Sequence, residues 1–150
     1  MKRNELITEL KKNFGIKELV CPHTVAAFGE KAWQFLNTEL LETLFVLRRE
    51  IFNVATYINY SGMTQRGLRC NICDLVKEKS AKNQIYLSAH CNGAGLDIDF
   101  KGFTAEQARE HIRKNADKLP HPIRLEKNVN WVHVDVYDDG SGRKISEFYG

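Results

Sequence analysis

The sequence predicts a single α+β domain, and three observations carry that prediction. The chain has 150 residues, 43% apolar and 27% charged, with three prolines, which suits one core rather than two domains or a disordered tail. A broad apolar helical face lies between Asn37 and Phe52. Several short stretches after it are alternating or rich in β-branched and aromatic residues, as strands are. At this length folding buries roughly 70% of the unfolded surface, so the core needs no covalent staples.

Leu6, Leu10 and Phe14 recur at helical spacing and predict a first helix from about Lys2 to Phe14. Residues 1–35 are expected to form a helical N-terminal extension and residues 36–150 the core of the domain. Within Asn37–Phe52 the apolar face is built by Leu40, Leu41, Leu44, Phe45, Leu47 and Ile51, with Glu39, Glu42, Arg48 and Arg49 left to solvent. Val54–Tyr60 reads as a strand ending at Ser61-Gly62. A short helix follows around Leu68, Ile72, Leu75 and Val76, and Ile85–Leu87 reads as a further strand.

In Leu96–Phe100 the alternation sets Asp97 and Asp99 on one face and Leu96, Ile98 and Phe100 on the other. Thr104 and Gln107 have the spacing of a capping box, which starts a helix running to about Asp117. Pro120 and Pro122 close it. Ile123–Leu125, Trp131–Val136 and Lys144–Phe148 then read as strands, the last two joined by the turn-rich segment 138–142.

Charge and cysteine content narrow the function classes. Lys and Arg number 22 against 19 Asp and Glu, a net charge of +3, too mild for a nucleic-acid partner held through phosphate neutralisation. No run of about 18 apolar residues predicts a membrane span, and the charged N-terminus lacks the apolar stretch of a signal peptide. Cys21, Cys70, Cys73 and Cys91 are expected as free thiols in a protein made in a reducing cytoplasm.

Two segments carry chemistry, residues 88–97 (SAHCNGAGLD) and 130–136 (NWVHVDV). His90 and Asp97 are bridged by small residues that let the backbone turn sharply. His133 and Asp135 share a strand face, opposite an apolar row of Val132, Val134 and Val136. His90, Asp97 and His133 supply two imidazoles and one carboxylate, the donor set of a catalytic zinc that keeps a fourth position open. Such an ion lowers the pKa of bound water to about 7 and polarises a carbonyl.

The pattern Ser88-x-His90-x-x-Gly93-x-Gly95-x-Asp97, followed by Trp131-x-His133, resembles the zinc D-Ala-D-Ala carboxypeptidase and Hedgehog-like superfamily, which includes bacterial and phage peptidoglycan peptidases. Gly95 stands where that family usually has Ala. The resemblance spans about residues 36–136 and includes residues 61–71, which look like the segment lining the substrate cleft. It implies an antiparallel sheet with helices on one face and a zinc cleft on the other, and Zn2+ held by His90, Asp97 and His133. It also implies a peptidoglycan stem-peptide substrate, reached through phage lysis or from a virion.

Arg66 and Arg69 suit a substrate that carries carboxylates, because a guanidinium can hold one bidentately; the alternative is two ordinary surface arginines. Gln65 and Ser88 are further polar groups placed by the resemblance near bound peptide. One position departs from the family: a Glu or Asp three residues before the last zinc-binding His is replaced by Asn130, whose amide cannot carry a proton at neutral pH. Glu126 is the first substitute for the missing base and His121 another, while Asp135 is better placed to support a ligand from behind. The sequence therefore predicts a zinc peptidase of DD-carboxypeptidase or endolysin type, with a catalytically impaired wall-binding or structural module as the alternative.

Cys70-x-x-Cys73 with His90 and Cys91 could also form a structural zinc site. That reading removes His90 from its motif and is set aside, since a helix through this segment presents the two thiols as ordinary half-buried neighbours.

Overall fold

In the computed structural model, which describes residues 1–150, Leu6 and Leu10 bury one side of helix α1 (Arg3–Leu10), and α1 packs against α4 (Thr38–Val46). Asn37 caps α4, its side-chain oxygen accepting the Glu39 backbone N–H at 2.8 Å. The apolar face then continues through a π-helical turn, Leu47–Phe52, which ends at Asn53 in the left-handed region. There Phe52 stacks on Phe100, fixing this helical end against the sheet.

Between α1 and α4 lie α2 (Ile16–Leu19), α3 (Pro22–Phe28) and a 3-10 stretch, Gly29–Phe35. Residues 1–35 are thus largely helical, and they share their interior with the rest of the chain. Leu6, Leu10, Phe14, Ile16 and Leu19 belong to the same buried cluster as Leu96, Ile98, Val132 and Val134. Arg3 secures this region by donating to Thr38 Oγ1 at 2.6 Å and to the carbonyls of Trp33 and Leu36 at 2.8 and 2.7 Å.

Five strands form one sheet: β1 (Thr56–Tyr57), β2 (Gly95–Phe100), β3 (Ile123–Lys127), β4 (Val132–Asp135) and β5 (Ile145–Tyr149), in the order β1-β2-β4-β3-β5. Leu96 pairs with Val134 and Ile98 with Val132, so their side chains share the core face. On the other face Asp97 pairs with His133, and Asp135 with Arg124 of β3. Helix α6 (Ala105–Lys114), started by the reciprocal Thr104 and Gln107 cap, packs on β2 and β4. Helix α5 (Asp74–Ala81) instead has its first turn at the rim of the polar face, where Leu75 borders a cleft. No helix is long and apolar enough to cross a membrane.

The sheet is mixed, which corrects the expected all-antiparallel arrangement: β3 and β5 run parallel. The reason is positional. Both sides of β4 are occupied, by β2 and β3, so the chain leaving β4 cannot close a hairpin onto it and travels to the free edge of β3. Having reversed once after β4, it arrives antiparallel to β4 and therefore parallel to β3.

Three element assignments change as well. Only Thr56–Tyr57 of the expected 54–60 strand pairs. Residues 85–87 form no strand, since Ile85 and Leu87 face solvent at 88% and 74% exposure and have no sheet edge to join. Helix α5 begins at Asp74, after the cysteine pair, which leaves both thiols in an irregular segment.

Candidate metal centre

Antiparallel register sets Asp97 opposite His133, and the loop before β2 brings His90 to the same point. That loop is a 3-10 turn, Ala89–Asn92, whose N-cap is Ser88; the Ser88 hydroxyl accepts the His90 backbone N–H at 3.3 Å. It closes at Gly93 with φ of 64°, where an added Cβ would lie 2.0 Å from the Phe35 carbonyl oxygen. Only glycine permits both the turn and that close approach.

His90 Nε2 lies 3.2 Å from Asp97 Oδ1, and His133 Nδ1 lies 2.9 Å from the same oxygen. All three side chains are buried. The outer ring nitrogens fix the tautomers. His90 Nδ1 is 2.9 Å from the Gly67 carbonyl oxygen, which can only accept, so this nitrogen carries the proton. His133 Nε2 donates to Asp135 Oδ2 at 2.6 Å. In the neutral rings the remaining lone pairs, His90 Nε2 and His133 Nδ1, point at the carboxylate oxygen. Three Lewis bases facing one another repel unless a proton or a cation lies among them, and two histidines with one carboxylate suit a divalent metal ion. Ligand imidazoles normally donate their other N–H to a carboxylate or carbonyl, as both do here.

Electrostatics agree with this donor set. Burial opposes charge on His133, but hydrogen bonds to Asp135 and Asp97 outweigh it and raise its pKa to about 9. Burial likewise opposes the Asp97 carboxylate, but the facing imidazoles, His133 first and then His90, hold it well below the usual range. With no cation, a proton on His133 fills the role of the positive charge.

Asp135 is wholly buried and accepts from four donors. Arg124 Nε and NH2 each approach at 2.9 Å, the Tyr137 backbone N–H at 3.1 Å, and His133 completes the set. It backs His133 rather than facing the cleft, in line with the supporting role its position suggests. Arg124 escaped the sequence reading, although two-residue alternation in β3 and β4 would have placed it on the face of Asp135.

A cleft of about 470 Å³ has Asp97 in its wall together with Gln65, Arg66, Arg69, Asp99 and Asn130, while His90 and His133 lie behind Asp97 and do not line it. Arg66 and Arg69 are not solvated surface residues. Arg66 pairs with Asp99 at 2.8 Å, and Tyr60 donates to the same Asp99 oxygen at 2.5 Å. Arg69 lies 3.5 Å from Asp97 Oδ2 and donates to Tyr86 Oη and to the Gln65 carbonyl. Gln65 Oε1 accepts the Leu75 backbone N–H. Ser88 acts on the His90 backbone and is absent from the cleft wall.

Asn130 sits in a loop held from behind by Arg109, which donates to the Val129 and Trp131 carbonyls. Glu126 is held in β3 rather than in a flexible loop. Strand alternation puts it on the face of Arg124, with its carboxylate against Gly150 and outside the cleft wall. His121 lies beside Glu42 of α4 and not in the cleft.

A second group of metal-ligating side chains also converges: Cys21, His23, Cys70 and Cys73. The partners of the Cys-x-x-Cys pair are therefore Cys21 and His23, while His90 belongs to the other group. The sequence signal was Cys21-x-His23, a two-ligand spacing whose distance along the chain from Cys70 hid it. Comparison with protein-family models, with curated proteins and with solved structures finds no match to this chain.

Proposed function

We propose that this chain is a zinc-dependent peptidase acting on peptidoglycan stem peptides, of DD-carboxypeptidase or endolysin type. The observation that carries the reading is the convergence of His90 Nε2 and His133 Nδ1 on Asp97 Oδ1, a residue of the cleft wall, with each histidine held from its far side. The choice of substrate rests on the resemblance of residues 88–97 and 131–133 to the peptidase motifs. An ion in this site would activate a water and polarise a carbonyl.

The remaining work falls to the chain's own groups. Asp135 and the Gly67 carbonyl hold the two imidazoles in the ligating tautomer. Arg66 and Arg69 give the cleft cationic edges that orient a substrate carboxylate, although each also serves an internal aspartate. The Asn130 amide can hydrogen-bond a peptide group or a water and cannot relay its proton. Glu126, on the same face, is the carboxylate available for that relay.

A specific observation favours the second reading, a module that binds wall peptide without cutting it: both aspartates in the cleft wall are already engaged. Asp97 faces two imidazoles, and Asp99 is bound by Arg66 and Tyr60. Zinc-loaded protein incubated with peptidoglycan should release new amino termini, and His133→Ala should release none. Cleavage retained by His133→Ala would remove the proposed mechanism, and no cleavage by the native chain would leave the binding module. Asn130→Asp restores the family's carboxylate and should raise the rate by about 100-fold or more if a missing base is the only defect. An unchanged rate would assign the proton to Glu126 or to another group.

A further inference from the structure

We propose that Cys21, His23, Cys70 and Cys73 form a second zinc site, structural in kind, separate from the His90, Asp97 and His133 centre. The argument begins with distances. Tetrahedral zinc with bonds of about 2.3 Å to sulfur and about 2.0 Å to nitrogen separates two sulfurs by about 3.8 Å and a sulfur from a nitrogen by about 3.5 Å. In this protein Cys70 Sγ and Cys73 Sγ are 3.8 Å apart, and His23 Nδ1 lies 3.5 Å from the first and 3.7 Å from the second. These separations match three edges, one face, of a tetrahedron around one ion, and Cys21 Sγ lies within 4.8 Å of all three atoms as the fourth corner. They exceed a disulfide's sulfur–sulfur bond of about 2.05 Å by far, and all four cysteines are free.

The local backbone is built to bring the four together. Residues 19–21 and 68 are zipped by Leu68 N–H to the Leu19 carbonyl at 2.9 Å and Cys21 N–H to the Leu68 carbonyl at 3.0 Å. This sets Cys21 beside Cys70 across 49 positions of sequence. Cys21 and Cys73 each occupy the residue before a helix, α3 and α5, and neither side chain caps its helix. The Cys21 sulfur is 3.0 Å from Thr24 Oγ1, a hydroxyl that can donate to a thiolate. Cys21 and Cys73 are buried, and His23 lies at the surface, an arrangement that lets an ion enter from solvent.

Three thiolates and one imidazole fill all four positions, leaving none for water or substrate, which marks a structural ion. On binding, each thiol loses its proton to solvent and no electrons move. The ion would fasten α3, the start of α5 and segment 66–70 to one point. That segment also carries Arg66, Arg69 and the Gly67 carbonyl that orients His90, so the site braces the wall of the cleft.

The test is metal analysis of the full chain purified under reducing conditions without chelator. Native protein should hold two zinc ions, the His90→Ala, His133→Ala double variant one, and the Cys70→Ser, Cys73→Ser double variant one. Because the serine variant can fail to fold, cobalt substitution of native protein gives an independent reading. A near-ultraviolet thiolate-to-cobalt band should appear in native protein and persist in His133→Ala. No metal in the His90→Ala, His133→Ala protein, or no thiolate band in cobalt-loaded native protein, would overturn the site.

Discussion

Replacing Asp135 by Asn keeps the size of the side chain, yet it should damage both the fold and the candidate metal centre. Oδ2 accepts from His133 Nε2 and Arg124 NH2, while Oδ1 accepts from Arg124 Nε and the Tyr137 N–H. An amide has one accepting oxygen and one donating nitrogen. In either orientation two donors therefore meet an NH2 group. A buried donor without an acceptor costs about 1–3 kcal/mol, and Arg124, with 30% of its side chain exposed, recovers part of this from water. Asp135→Asn should then lower the unfolding free energy by about 2–4 kcal/mol, and weaker support of His133 should lower zinc affinity by about 10–100-fold. Urea unfolding gives the first quantity and competition with a chromophoric chelator the second. A variant within 0.5 kcal/mol of native stability (roughly twofold in the folding constant at each step of that size) and with unchanged zinc affinity would refute the assignment of Asp135 as the support of His133.

The pH dependence of the same centre has a definite sign. His133 in metal-stripped protein should titrate near 9 rather than near its ordinary 6.5; since a metal must displace that proton, zinc affinity at this centre should fall about tenfold per unit as pH drops from 9 towards neutral. Ring resonances followed by NMR check the titration, and a ring that titrates near 6.5 would exclude the double carboxylate contact. Gly67→Ala should destabilise the fold by several kcal/mol, of order 3, because the new Cβ would lie 2.1 Å from the Leu19 carbonyl oxygen, a backbone atom that cannot swing aside; a melting temperature equal to native would show that the 19–21 and 67–69 segments are not in close contact.

Much of the site was legible because strands alternate. Once Leu96–Phe100 and Trp131–Val136 are read as strands, Asp97, His133 and Asp135 must share a face, and the apolar residues between them must share the other. The same rule had less hold on β5, since alternation gives a strand its faces and not its neighbour. Its parallel pairing with β3 depends on which sheet edge is free. Ile85–Leu87 misled because apolar content without a partner edge does not make a strand. Gly67 and Cys21 were the least visible, as their roles come from contacts between segments far apart in sequence. Composition can nominate a cysteine for metal, but only the approach of His23, at the start of α3, to the Cys70 and Cys73 sulfurs selects it over His90 as their companion.

The segment from Arg66 to Cys70 touches both groups of ligands: its Gly67 carbonyl receives the His90 proton, Arg69 stands by Asp97, and Cys70 faces His23. Should ions occupy both proposed sites, each would hold the same five residues, and the entropy of fixing them would be lost only once. Occupancy of one would then raise the affinity of the other, and thermodynamic reciprocity would make the factor identical in both directions. Under scarce zinc the chain would fill or empty as a unit, with cooperative loading arising from one short stretch of backbone.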